Sequence, residues 1–177
     1  FTSGRLSRAA NPLVLCGGSG SGKTHLATGL AAHWNAQSHP QKATVIDGSK
    51  FRRVTRFWRS LSENPEGLLV LEKVERLASV PTMVAEVCRL LDAYQAHSGG
   101  IIVTASRAPN YLSDLSPPLR SRLLGGLVVP LYKPSIETRR EIVHTYENLL
   151  GVSFSPNAVD LLASEIQTTG GRLIEII

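Results

Sequence analysis

The sequence predicts an α/β protein with a doubly wound parallel sheet flanked by helices and followed by a small helical unit. Three observations predict it. Short apolar runs that do not alternate with polar residues recur up to about residue 130, as in strands buried on both faces. Helical patterns lie between these runs, and beyond residue 130 the pattern is helical only. A glycine-rich stretch stands where the first run gives way to the first helix.

Residues 13–16, 68–71, 101–103 and 127–129 are the four continuous apolar runs, each expected to be buried on both faces. Residues 43–47 are less continuous and predict a fifth strand nearer an edge. A helix is expected over residues 23–35. Another is marked by Met83, Val84, Val87, Leu90, Leu91 and Tyr94, whose spacing of three and four places them on one face. Ser135 can cap a helix with Ile142, Val143, Tyr146, Leu149 and Leu150 turned inward. Ser155 followed by Pro156 starts a last one, through Val159, Leu162 and Ile166. The division follows: residues 1–132 form the α/β core and residues 133–177 a helical lid, truncated at its C-terminal end.

A chain of 177 residues with 42% hydrophobic content builds one such core and leaves little room for a second. No apolar run approaches the roughly 20 residues that span a bilayer, and the start lacks the apolar stretch of a signal peptide, so a cytoplasmic protein is expected. Phe1 in place of Met, and the apolar Ile174, Ile176 and Ile177, predict an excised fragment. Cys16 and Cys88 sit in apolar stretches and read as core thiols; no histidine spacing predicts a metal site of protein ligands. The net charge of +5 permits a polyanionic partner without requiring one.

Gly17-Gly18-Ser19-Gly20-Ser21-Gly22-Lys23-Thr24 fits G-x-x-x-x-G-K-[ST], after an apolar strand and before a helix. Glycines let the backbone turn its N–H groups around phosphate oxygens, and the helix N-terminus adds a favourable dipole. Lys23 should reach the β and γ phosphates and the Thr24 hydroxyl should ligate Mg²⁺, which predicts ATP or ADP with Mg²⁺.

The run N-P-L-V-L-C-G-G-S-G-S-G-K-T-H-L, residues 11–26, resembles the loop of the bacterial replication initiator DnaA family, down to Asn11-Pro12-Leu13 before it and His25-Leu26 after it. Further similarities follow in family order. Residues 48–51 resemble its S-E-R-F segment, 101–109 its I-I-L-T-S-D-R-x-P, and 119–123 the L-x-S-R-F around its arginine finger. Glu137-Thr138-Arg139 is similar to its E-T-R helix start, and Arg172-Leu173-Ile174-Glu175 to its R-E-L-E. The resemblance implies a P-loop NTPase of the AAA+ type with a five-stranded sheet, ATP and Mg²⁺ held by residues 17–25, and head-to-tail self-association. It also implies that Arg122 is a finger acting in trans and Arg172 a second sensor. The expected role is a nucleotide-dependent assembly switch in replication initiation or its regulation. A helicase-loader or transposition-helper ATPase is the alternative.

The chain departs from that family at the end of its third strand, where two acids are usual and Glu72-Lys73 stands here. In one register Glu72 takes the metal side and Lys73 the place of the catalytic acid. In the other Glu72 is the catalytic acid and Leu71 lies beside the metal. Either leaves one carboxylate where two are ordinary, which predicts hydrolysis weakened about 10²- to 10⁴-fold, because an ammonium cannot orient water or accept its proton. Lys73 can instead attract the γ-phosphate. Ser106 replaces the acid of the first sensor and keeps hydrogen-bonding capacity without charge, and Pro118 interrupts the arginine-rich helix before the finger.

Residues 51–59 hold four arginines and three aromatics. The resemblance implies a contact with single-stranded DNA through Arg52, Arg53, Arg56 and Arg59, with phosphates neutralised and an aromatic stacked on bases. The spacing of Phe51, Val54, Phe57, Trp58 and Leu61 equally suits one buried helix face with the arginines in water. In that family the element that reads double-stranded DNA lies beyond the second-sensor helix, outside these residues.

Overall fold

A computed structural model describes residues 8–50, 53 and 55–165. Two compact units are present: Phe1–Gly17 with Lys23–Pro130, and Gly18–Gly22 with Leu131–Ile177.

In the first unit five strands form one parallel sheet in the order β2-β3-β4-β1-β5. They are β1 (Leu13–Cys16), β2 (Thr44–Asp47), β3 (Leu68–Glu72), β4 (Gly100–Ala105) and β5 (Leu127–Pro130). The helices between them are α1 (Lys23–Ala36), α2 (Arg56–Glu63), α3 (Val74–Ala78), α4 (Pro81–Ala96) and α5 (Pro117–Leu124).

The pleat divides the strand residues between two faces. Val14, Cys16, Ile46, Leu69, Leu71, Ile101, Val103 and Ala105 pack with Trp58 of α2, Val74 and Leu77 of α3, and the apolar stripe of α4. That stripe is Met83, Val87, Leu90, Leu91 and Tyr94, as the spacing predicts. The alternate residues Leu13, Leu15, Leu68, Val70, Ile102 and Thr104 are buried on the opposite face. There α1 packs on β1, β2, β3 and β4 through Ala27, Ala31 and Trp34, spaced four and three apart.

Asn11 joins the entry of β1 to that of β4. Its side chain is buried, with Nδ2 donating to the carbonyls of Tyr94 at 3.2 Å and Gly99 at 3.0 Å, and Oδ1 accepting from the Ile101 N–H at 2.9 Å. Asn11→Ala leaves those three groups buried without partners, so a loss of about 2–4 kcal/mol is expected in denaturant unfolding. A loss below about 0.5 kcal/mol, the level of an ordinary surface change, would show the clamp to be idle.

Three expectations about this first unit are corrected. Residues 127–129 are not buried on both faces: Leu127 is 48% exposed, because among the described residues β5 is an edge strand paired only with β1. The aromatics of residues 51–61 do not all face inward. The helix begins only at Arg56, so Trp58 is fully buried and Leu61 packs against the core, while Phe57 is 45% exposed. Phe51 and Val54 lie outside the described residues. Pro118 does not interrupt α5, since Pro117 and Pro118 occupy its first turn, where the missing N–H groups have no intrahelical role.

The second unit contains α6 (Ile136–Leu150) and α7 (Pro156–Glu165), packed on each other. Ser135 caps α6 by accepting from the Thr138 N–H at 3.3 Å, and Ser155 accepts from Ala158 at 3.3 Å. Val143 and Val159 are buried between the helices, with Ile142, Tyr146, Phe154 and Leu162 partly so. Leu149 and Leu150 are exposed rather than inward: among the described residues the apolar cluster of the two helices includes Tyr146 and neither of them. Ile166 lies outside the described residues.

Candidate nucleotide site

The loop after β1 has the backbone that its glycines permit. Gly17, Gly20 and Gly22 have φ of 156°, 79° and 86°, a range in which a side chain is strained. The Gly17 N–H donates to the carbonyl of Ala105, the last residue of β4, at 3.2 Å, so the loop leaves the sheet at a defined point. A Cβ at Gly18 or Gly22 would meet nothing within 4 Å among the described residues, leaving open space beside the main chain. Residues 23–25 then form the first turn of α1, with Thr24 and His25 exposed and Lys23 half-buried. Burial lowers the proton affinity of the Lys23 amine, opposed first by the charge of Glu75 and then by Cys16.

The carboxyl ends of β2, β3 and β4 carry a second group of polar residues. Glu72 ends β3 on the face that α1 covers, whereas Leu71 points into the opposite apolar layer. Only 7% of Glu72 is exposed, and its Oε1 is buried with no hydrogen-bond partner among the described residues. A buried carboxylate oxygen without a partner is costly and calls for an explanation such as a bound cation.

Lys73 has a left-handed backbone, φ 55° and ψ 54°, and turns the chain from β3 into α3. Its N–H donates to Thr104 Oγ1 at 2.9 Å. Its ammonium does not stand free to meet a phosphate: it pairs with both Asp47 oxygens at 3.2 and 3.1 Å. Asp47 is held down at about 2, chiefly by the Ser49 hydroxyl, with the Ser49 N–H and Lys73 assisting. Ser106 is exposed directly after β4.

Arg122 is on α5 and forms a two-pronged ion pair with Asp92 of α4, Nε to Oδ1 at 2.7 Å and Nη2 to Oδ2 at 2.8 Å. Arg53, Arg56 and Arg59 are exposed, as Phe57 largely is. Arg52 and Arg172 lie outside the described residues. Sequence reasoning missed Asp47, Asp92 and Glu75. The first two are partners distant along the chain, while Glu75, two residues beyond Lys73, was within reach of a reading that looked past the strand.

This architecture is that of a P-loop NTPase of the AAA+ type. Within it, the chain belongs to the bacterial DnaA ATPase domain family, whose model matches residues 3–130. A chromosomal replication initiator protein DnaA from Ruegeria sp. (strain TM1040) is 30% identical over 173 residues, covering 89% of this chain and 36% of the relative. The chain therefore spans about a third of the length of such relatives. Among solved structures, domain III of DnaA from Thermotoga maritima matches 94% of this chain and 73% of its own, with a TM-score of 0.80 and 23% identity. A replication initiator DnaA bound to AMPPCP and single-stranded DNA matches 95% of this chain and 54% of its own, with a TM-score of 0.79 and 20% identity.

Proposed function

We propose that this chain is the nucleotide-binding switch of a DnaA-like replication initiator or its regulator: it binds ATP with Mg²⁺, assembles head to tail in that state, and hydrolyses ATP slowly. The observation that carries the reading is the glycine loop, whose left-handed backbone opens directly into Lys23 and Thr24 at the start of α1. In this reading residues 17–25 cradle the phosphates, with Lys23 on the β and γ groups. Thr24 and Glu72 hold Mg²⁺, which gives the unpartnered Glu72 oxygen its ligand. The apolar placement of Leu71 favours the register with Glu72 on the metal side. Ser106 hydrogen-bonds the γ-phosphate or the water, Arg122 reaches a neighbour's nucleotide, and Arg172 serves as the second sensor.

Slow turnover follows from Lys73, an ammonium where a carboxylate is ordinary and one already engaged by Asp47. Single-turnover hydrolysis by the assembled protein is expected to fall about 10²- to 10⁴-fold below that of an AAA+ enzyme with both acids. An ordinary rate would overturn that expectation.

Arg53, Arg56 and Arg59 offer a surface for single-stranded DNA on which the exposed Phe57 gives a stacking face, and Arg52, outside the described residues, belongs to the same proposed contact. Recognition of double-stranded DNA belongs to a part of the protein outside this chain. Its setting is the bacterial cytoplasm; among the described residues no helix is long and apolar enough to cross a membrane.

The deciding experiment titrates ATP, ADP and AMPPCP with Mg²⁺ calorimetrically and follows sedimentation in each state. Saturable binding, with assembly in ATP and AMPPCP but not in ADP, is the expected result. Folded protein that gives no saturable heat with any of the three would end the nucleotide reading.

A further inference from the structure

We infer that Glu75 supplies the second carboxylate of this site and sustains its slow turnover, taking the proton of the attacking water from a place one helical turn beyond the acid position that Lys73 occupies. The inference rests on the nucleotide-binding reading above and assigns a residue within it.

Two observations carry it. The left-handed turn at Lys73 starts α3 at once, so Glu75 falls in the first turn of that helix, three residues after Glu72 and at the same end of β3. Glu75 Oε2 is buried without a hydrogen-bond partner among the described residues, as Glu72 Oε1 is. A carboxylate in the first turn of a helix usually serves by accepting free N–H groups or by meeting the helix dipole in water. A buried oxygen that accepts nothing fits neither use and fits a group kept ready for a ligand. Lys73 meanwhile is drawn to Asp47 at 3.1 Å.

The step balances without a further reactant. The water oxygen bonds to the γ-phosphorus as the bond from that phosphorus to the β–γ bridging oxygen breaks. ADP leaves with that electron pair, and the water proton passes to the Glu75 carboxylate and from there to solvent. Glu72 stays with Mg²⁺.

The test uses the whole chain and reads binding separately from turnover. Binding of Mg-ADP alone, and of Mg-ADP with aluminium fluoride as a mimic of the transferring phosphoryl group and its water, is measured calorimetrically beside single-turnover hydrolysis. Glu75→Gln is expected to bind Mg-ADP as the parent does, to lose most of the added affinity from aluminium fluoride, and to lose about 10²-fold or more in rate. Adding Lys73→Asp to Glu75→Gln should restore both to the level of the parent or above it, since aspartate tolerates the left-handed backbone at that position. Should Glu75→Gln fail to fold by thermal melting, Glu75→Asp keeps the charge but withdraws it by about 1 Å, and a loss of about 10²-fold is expected from that displacement.

An unchanged rate and fluoride response in Glu75→Gln would overturn the assignment. So would a parent that binds Mg-ATP and never turns it over, or a folded Glu75→Gln that has lost Mg-ADP itself. A parent that binds no Mg-ADP removes the nucleotide reading first, and the titration shows that before any variant is made.

Discussion

Lys23→Ala is expected to weaken binding of Mg-ATP by about 10²- to 10³-fold. The ammonium is half-buried at the start of α1, where lost hydration already lowers its proton affinity. A cation held there in advance meets a polyphosphate with little further desolvation. At about 4 Å and an effective dielectric near 20, one charge pair contributes about 4 kcal/mol, an upper figure that solvent around a half-exposed group reduces. The polyphosphate contact exists only with nucleotide present, so its loss is read in the binding titration. Equal affinities for Mg-ATP in the variant and the parent would remove Lys23 from the phosphate site, and the reading of the whole loop would weaken with it.

The sheet was legible because burial on both faces leaves a plain trace: residues 13–16, 68–71 and 101–103 are unbroken apolar runs, and all are buried. The same trace misled at residues 127–129. Apolar composition does not say whether a strand pairs on its far side, and among the described residues β5 has no neighbour beyond it. The five-residue helix α3 is too short to show a helical period, and its start is set by one left-handed residue that is not glycine. The outward turn of Phe57 was illegible for a related reason. Helical spacing was counted from Phe51, whereas the helix begins at Arg56, which leaves only Trp58 and Leu61, three residues apart, on its inner side.

The phosphate loop was legible in full, since it is contiguous and its flanks are a strand and a helix. The acids around it were legible only where chain neighbours fix them. That Glu72 and not Leu71 faces α1 needs the pleat, and the engagement of Lys73 needs Asp47, 26 residues earlier on the adjacent strand. Parallel pairing brings Asp47 opposite Glu72, a relation that no local spacing encodes. Asp92 reaches Arg122 in the same way, across 30 residues and two helices.

A finger that works in trans must leave its own subunit, and Arg122 is held there by two hydrogen bonds to Asp92 and a third, at 3.1 Å, to the Pro118 carbonyl. Both side chains are partly solvated, so the pair with Asp92 is worth only about 0.2–1 kcal/mol. Asp92→Asn should therefore strengthen ATP-dependent assembly by a factor of up to about 5, whereas Arg122→Ala should weaken it by about 10²-fold, the effect of losing a charge-assisted contact at the nucleotide of the neighbour. The opposite signs separate this role from a structural one. If Arg122 only fastened α5 to α4, both variants would lower the melting temperature together and neither would shift assembly. Sedimentation in Mg-ATP across a concentration series reads the difference directly, and parallel destabilisation with unchanged assembly would return Arg122 to the fold alone.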